Sequence, residues 1–75
     1  MHRNFKKGNL RFRIQNCPER DKRTPADKYF LEVFVENRWN IVYEPGLDHV
    51  ARFKTIREAQ FWAGLNVESI PSLIL

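Results

Sequence analysis

Seventy-five residues with 43% hydrophobic and 29% charged side chains make one folded domain and leave no room for a second. The single cysteine, Cys17, excludes an internal disulfide, and the three scattered glycines exclude a glycine-rich phosphate loop. Net charge is +4, but nine basic groups against three acidic ones fall in residues 1–28, and four against six in residues 29–75, so the basic character is N-terminal.

Residues 1–9 read as a basic, flexible segment carrying Arg3, Lys6 and Lys7 around Phe5. No apolar stretch follows it, and the longest wholly apolar run (residues 73–75) is too short to cross a bilayer. A cytoplasmic, reducing location without membrane contact is the expectation. Residues 10–15 alternate strictly, with Leu10, Phe12 and Ile14 on one face and Arg11, Arg13 and Gln15 on the other, which predicts a half-buried strand. Residues 16–28, polar and punctuated by Pro18 and Pro25, predict a long, flexible basic loop with Arg20, Lys22, Arg23 and Lys28.

Residues 29–36, rich in aromatic and β-branched side chains, predict the strongest strand, paired with residues 39–43. A three-residue connection, Glu36-Asn37-Arg38, sets Leu31, Val33 and Val35 opposite Tyr43, Ile41 and Trp39 and buries one face. Asn37 suits a left-handed position in that connection. The Glu44-Pro45-Gly46-Leu47-Asp48 stretch predicts a turn, and residues 49–53 a third hairpin strand.

The helix over residues 55–66 is marked by a capping box, Thr55-Ile56-Arg57-Glu58, in which the Thr55 hydroxyl accepts the Glu58 N–H and the Glu58 carboxylate reaches back to Thr55. Ile56, Ala59, Ala63 and Val67 share one stripe, with Trp62 at its edge, and predict the core face. Phe61 and Leu65 pair on the other side and need a cover, for which the apolar tail, residues 68–75, a second copy or a partner are the candidates. The fold class is therefore α+β, a small antiparallel sheet of three to four strands packed by one C-terminal helix.

Nothing in the residue pattern assembles an enzyme or a cofactor site. His2, Cys17 and His49 are scattered without ligand spacing, and neither histidine lies near the thiol in sequence. Carboxylates Glu32 and Glu36 are accounted for by cross-strand pairing with Arg11 and Arg13. The informative signal is the basic segment with interleaved aromatics. Arg3, Lys6, Lys7, Arg11, Arg13, Arg20, Lys22, Arg23 and Lys28 can neutralise phosphates, and Phe5 or Tyr29 can stack on an unpaired base.

Trp39-x-x-Val42-Tyr43 followed by Arg52-Phe53-Lys54-Thr55-Ile56-Arg57-Glu58-Ala59 resembles, over residues 29–66, the three-stranded sheet plus helix of the N-terminal, arm-site-binding domains of phage-type tyrosine integrases. That resemblance implies a sheet face entering DNA, here holding Glu32, Phe34, Glu36, Asn40 and Val42, with Arg52 if the third strand extends it. Acidic groups on that face oppose phosphate, which moves the expected DNA contact to the N-terminal third. The leading expectation is a non-enzymatic nucleic-acid-binding module of a mobile element. The alternative is a phage- or prophage-type inhibitor, anti-CRISPR-like, gripping an acidic host-protein surface through Phe30, Phe34, Phe61 and Leu65, with a homodimer compatible with either.

Overall fold

The computed structural model describes residues 2–46 and 49–74. Leu47 and Asp48 of the expected turn, and Leu75 of the tail, lie outside them. The described chain runs β1 (His2–Lys7), β2 (Leu10–Asn16), β3 (Tyr29–Val35), β4 (Arg38–Ile41), β5 (Arg52–Phe53) and one helix, α1 (Ile56–Asn66), with short 3-10 turns at Glu19–Asp21 and Ile70–Ser72. All pairings are antiparallel, in the order β1-β2-β3-β4, with β5 joining β3 beyond the end of β4. The α+β class holds, with more strand than expected.

The added strand is β1. Residues 2–7 do not form the flexible segment expected of residues 1–9; they pair along the whole of β2, from His2 opposite Gln15 to Lys7 opposite Leu10. Phe5 anchors this strand by stacking on its cross-strand partner Phe12, ring centroids 5.1 Å apart. The connection is the two-residue Gly8-Asn9, where Gly8 has φ +57°, the sign a tight hairpin turn needs. A Cβ there would also stand 3.2 Å from Val67, so glycine lets the turn close against the end of α1.

The β3–β4 connection corrects the expected register. It has two residues, Glu36 and Asn37, both left-handed at φ 54° and 63°, as type I′ turns require. Val35 then faces Arg38, Phe34 faces Trp39, Val33 faces Asn40 and Glu32 faces Ile41. Trp39 and Ile41 therefore lie on the face opposite the core. Two gains accompany their lost burial. Val42 reaches a wholly buried position bonded to Leu31, and the turn matches the right-handed twist of the strands. Asn40, now on the core face at the sheet's edge, satisfies its amide by donating to the carbonyls of Val35 and Arg38 at 3.2 and 3.1 Å.

The expected strand at 49–53 keeps only β5 as regular strand, lying against β3, while the residues before it pair back onto the chain just after β4. Tyr43 and Val50 form one bridge, Ala51 donates to Val42, and Tyr29 faces Phe53. Phe12, Ile14, Leu31, Val33, Val42 and Ile70 are wholly buried, each such side chain stabilising by about 1.5–3 kcal/mol. α1 lies over them through Ala59 and Ala63, with Ile56 and Trp62 at the margin, as its stripe predicts. Its N-terminus is capped by Thr55, whose hydroxyl accepts the Glu58 N–H at 3.0 Å. The Glu58 carboxylate reaches one residue further back than the capping box predicts, to the Lys54 N–H at 3.1 Å.

The tail does not cover Phe61 and Leu65, which stay 68% and 70% exposed. Ile70 and Leu73 instead plug the open end of the core, and the Leu73 carbonyl accepts the Tyr43 N–H at 2.8 Å. The segment at 16–28 is likewise tied down. Cys17 donates to Lys28 and Lys28 to Phe53, while the Asp27 carboxylate accepts the N–H groups of Arg23 and Thr24.

Candidate nucleic-acid interface

With α1 on one face, the second face of the sheet is left to its own side chains. Strand alternation and register decide which these are. Asn4 and Lys6 come from β1, Arg11, Arg13 and Gln15 from β2, and Phe30, Glu32 and Phe34 from β3. Trp39 and Ile41 of β4 and Arg52 of β5 complete the face. Asn40 and Val42, which the resemblance assigned to this surface, are on the other side, and Glu36 is in the turn. The face is therefore basic rather than acidic: Lys6, Arg11, Arg13 and Arg52 stand against Glu32, its one carboxylate among the described residues.

The side chains form a ladder of cations on rings. Arg13 places its guanidinium carbon 4.4 Å from the centroid of Trp39, and Arg11 places its own 5.0 Å from that of Phe34. The two rings meet edge to face at 5.3 Å. Glu32 accepts both the Arg13 Nε at 2.7 Å and the Gln15 amide at 2.9 Å on the same oxygen, Oε1. With the Arg13 and Glu32 side chains 27% and 13% exposed, this ion pair is better shielded than most surface pairs. The expected Arg11 pairing with an acid is absent from this arrangement, because Phe34, not Glu36, faces Arg11.

Lys6 lies directly opposite Arg11. Like charges facing across strands are destabilising, and both side chains are exposed. A shallow depression of about 430 Å³ opens beside them, lined by Asn4, Lys6, Arg11 and Trp39 together with Phe5 and Phe12. Further down the face, Cys17, Phe30, Ile41, Val50 and Arg52 surround a second hollow of about 240 Å³, where Arg52 is held by a bond from Nη1 to the Val50 carbonyl.

The nine expected nucleic-acid contacts are thus divided. Lys6, Arg11 and Arg13 come together on the open face. Arg3 and Lys7 alternate to the helix side, where a Cβ added at Gly64 would meet the Lys7 stem at 3.8 Å. Arg20, Lys22, Arg23 and Lys28 belong to the 17–28 segment, and Lys22 pairs with Glu19 at 3.1 Å. Neither expected stacking residue is on the open face: Phe5 is stacked on Phe12, and Tyr29 faces Phe53 on the core side. The ring missed in the sequence is Trp39, because the three-residue connection placed it in the core. Of the expected protein-contact residues, Phe30 and Phe34 share the open face, whereas Phe61 and Leu65 stand on the far side of α1.

Among the described residues no group of three or more His, Cys, Asp or Glu is placed to hold a metal ion, and no helix is long and apolar enough to cross a membrane. No family model, no curated protein and no solved structure matches this chain.

Proposed function

We propose that the protein is a non-enzymatic nucleic-acid-binding module whose contact surface is the open face of the sheet. The observation that carries this reading is the Lys6–Arg11 pair, two exposed cations facing each other across strands beside the ring-bearing depression. A phosphate between them would turn a repulsion into a pair of charge-assisted contacts. The resemblance to arm-site-binding domains agrees with a sheet face as the reader, and of the two acids that opposed it the turn takes Glu36 off that face while Glu32 is paired with Arg13.

Salt dependence tests the assignment. Affinity for an oligonucleotide, read by fluorescence anisotropy, should fall steeply with salt, and the double change Lys6→Gln, Arg11→Gln should flatten the log–log slope by about 1.4 to 1.8. Lys22→Gln with Arg23→Gln should change it far less. No binding at low salt, or loop substitutions that matter more than the sheet pair, would refute the proposal.

A second reading rests on Phe61 and Leu65, one turn apart on α1 and more than two-thirds exposed. They favour a protein partner, as for a phage-type inhibitor. Phe61→Asp should then abolish capture of that partner from host lysate while the melting curve stays unchanged.

A further inference from the structure

A duplex hides its base faces, whereas a single strand offers them for stacking on aromatic rings and guanidinium planes. The open face is built for the second kind of contact. Arg13 is bonded in its own plane through Nε to Glu32 and lies over Trp39. Its hydrogen bond therefore fixes the guanidinium through its edge, and Trp39 takes one of its two flat faces, not both. Trp39 borders the depression that also contains Lys6 and Arg11. A stacking platform and a phosphate seat are thus neighbours, as one nucleotide of an unpaired strand requires.

Resting on the nucleic-acid reading above, we infer that the ligand is a single strand, with an unpaired base stacked at the Arg13–Trp39 pair and an adjoining phosphate between Lys6 and Arg11. Glu32 is a positioning residue in this site. It holds Arg13 flat and is itself steadied by Gln15. Its role carries a sign that simple electrostatics would reverse. Removing the one described carboxylate of a basic face should strengthen phosphate binding, whereas releasing the Arg13 plane should weaken base stacking.

The test compares labelled oligothymidylate and oligouridylate with a duplex of equal length, by anisotropy at one salt concentration. Both single strands should bind more tightly than the duplex. Trp39→Leu should lower single-strand affinity roughly 5- to 150-fold, the range for one stacked base, and lower duplex affinity far less. Arg13→Lys keeps the charge but not the plane, and should also weaken single-strand binding with the salt slope preserved; it serves if Trp39→Leu fails to fold. Glu32→Leu should weaken single-strand binding severalfold. Duplex binding equal to or tighter than single-strand binding, indifference to both Trp39→Leu and Arg13→Lys, or a gain from Glu32→Leu would overturn the inference while leaving the nucleic-acid reading intact. If no oligonucleotide of any kind binds, both fall.

Discussion

Everything assigned to the open face depends on the two-residue turn between β3 and β4, and Glu36 offers a direct test of it. Glu36 has φ 54°, in the left-handed region, where an L-residue pays roughly 1–2 kcal/mol for the approach of its Cβ to the following carbonyl. Glycine at that position removes the strain. It also gives the unfolded chain more freedom, which costs about 0.4–1 kcal/mol. The first effect is the larger, so Glu36→Gly should stabilise by about 0.5–1 kcal/mol, or roughly 2–8 °C in Tm for a domain of this size. Thermal unfolding followed by circular dichroism reads this directly, with Glu36→Val as the opposing control, because a β-branched side chain tolerates φ > 0 least. In a three-residue connection with Glu36 outside the left-handed region, glycine would bring only its entropy cost. A lower Tm for Glu36→Gly, or a higher one for Glu36→Val, would refute the turn and remove Trp39 from the open face.

Three further outcomes test the scaffold. Thr55→Ala deletes the hydroxyl that accepts the Glu58 N–H and should cost about 1 kcal/mol in urea unfolding. Ile70→Ala empties a wholly buried position filled by the tail and should cost about 2–5 kcal/mol; a loss below about 0.5 kcal/mol, typical of surface sites, would show that the tail is not part of the core. At Asp27, desolvation pushes the carboxyl up, but the N–H groups of Arg23 and Thr24, the Arg52 charge and the Thr24 hydroxyl together hold it below its ordinary 3.8. A depressed carboxyl stabilises the fold above that ordinary value and loses its contribution as pH falls through the folded-state value. Asp27→Asn should therefore lower stability at neutral pH and flatten the acid limb of a Tm–pH curve; an unchanged acid limb would count against the Asp27 contacts.

What was legible in the sequence is what local chemistry specifies. Strict alternation over residues 10–15 and the capping threonine before α1 each act within a few residues, and β2 and the helix stand where those signals put them. Register is different, because it turns on backbone handedness at Glu36 and Asn37, and neither is the glycine that usually announces a tight hairpin. Shifting the partner by one residue exchanges its two faces, so one turn moved Trp39 and Ile41 out of the core and Asn40 and Val42 out of the candidate site together. β1 was missed for another reason. Among its cations only Phe5 is apolar, and its burial partner, Phe12, belongs to the next strand. The tail was recognisably apolar, but whether it would cover Phe61 and Leu65 or close the core at Ile70 depends on where the sheet ends, which no local pattern encodes.

The arrangement of the open face also separates what the fold requires from what a ligand would require. A domain of about this size gains little spare stability from its core, so an uncovered face is expected to carry compact, self-satisfied pairs. Arg13 with Glu32 and Gln15 meets that description: charge, hydrogen bonds and the Trp39 ring all have partners within the sheet. Lys6 opposite Arg11 does not. Leaning Arg11 onto Phe34 recovers about 0.5–1 kcal/mol at an exposed site, yet it leaves two exposed cations facing each other where one acidic side chain would have stabilised the hairpin. Stability alone gives no reason for that choice, whereas the proposed phosphate contact would. The same comparison explains why Lys22 of the 17–28 segment is a weaker candidate: it is paired with Glu19, so its placement is accounted for within the loop.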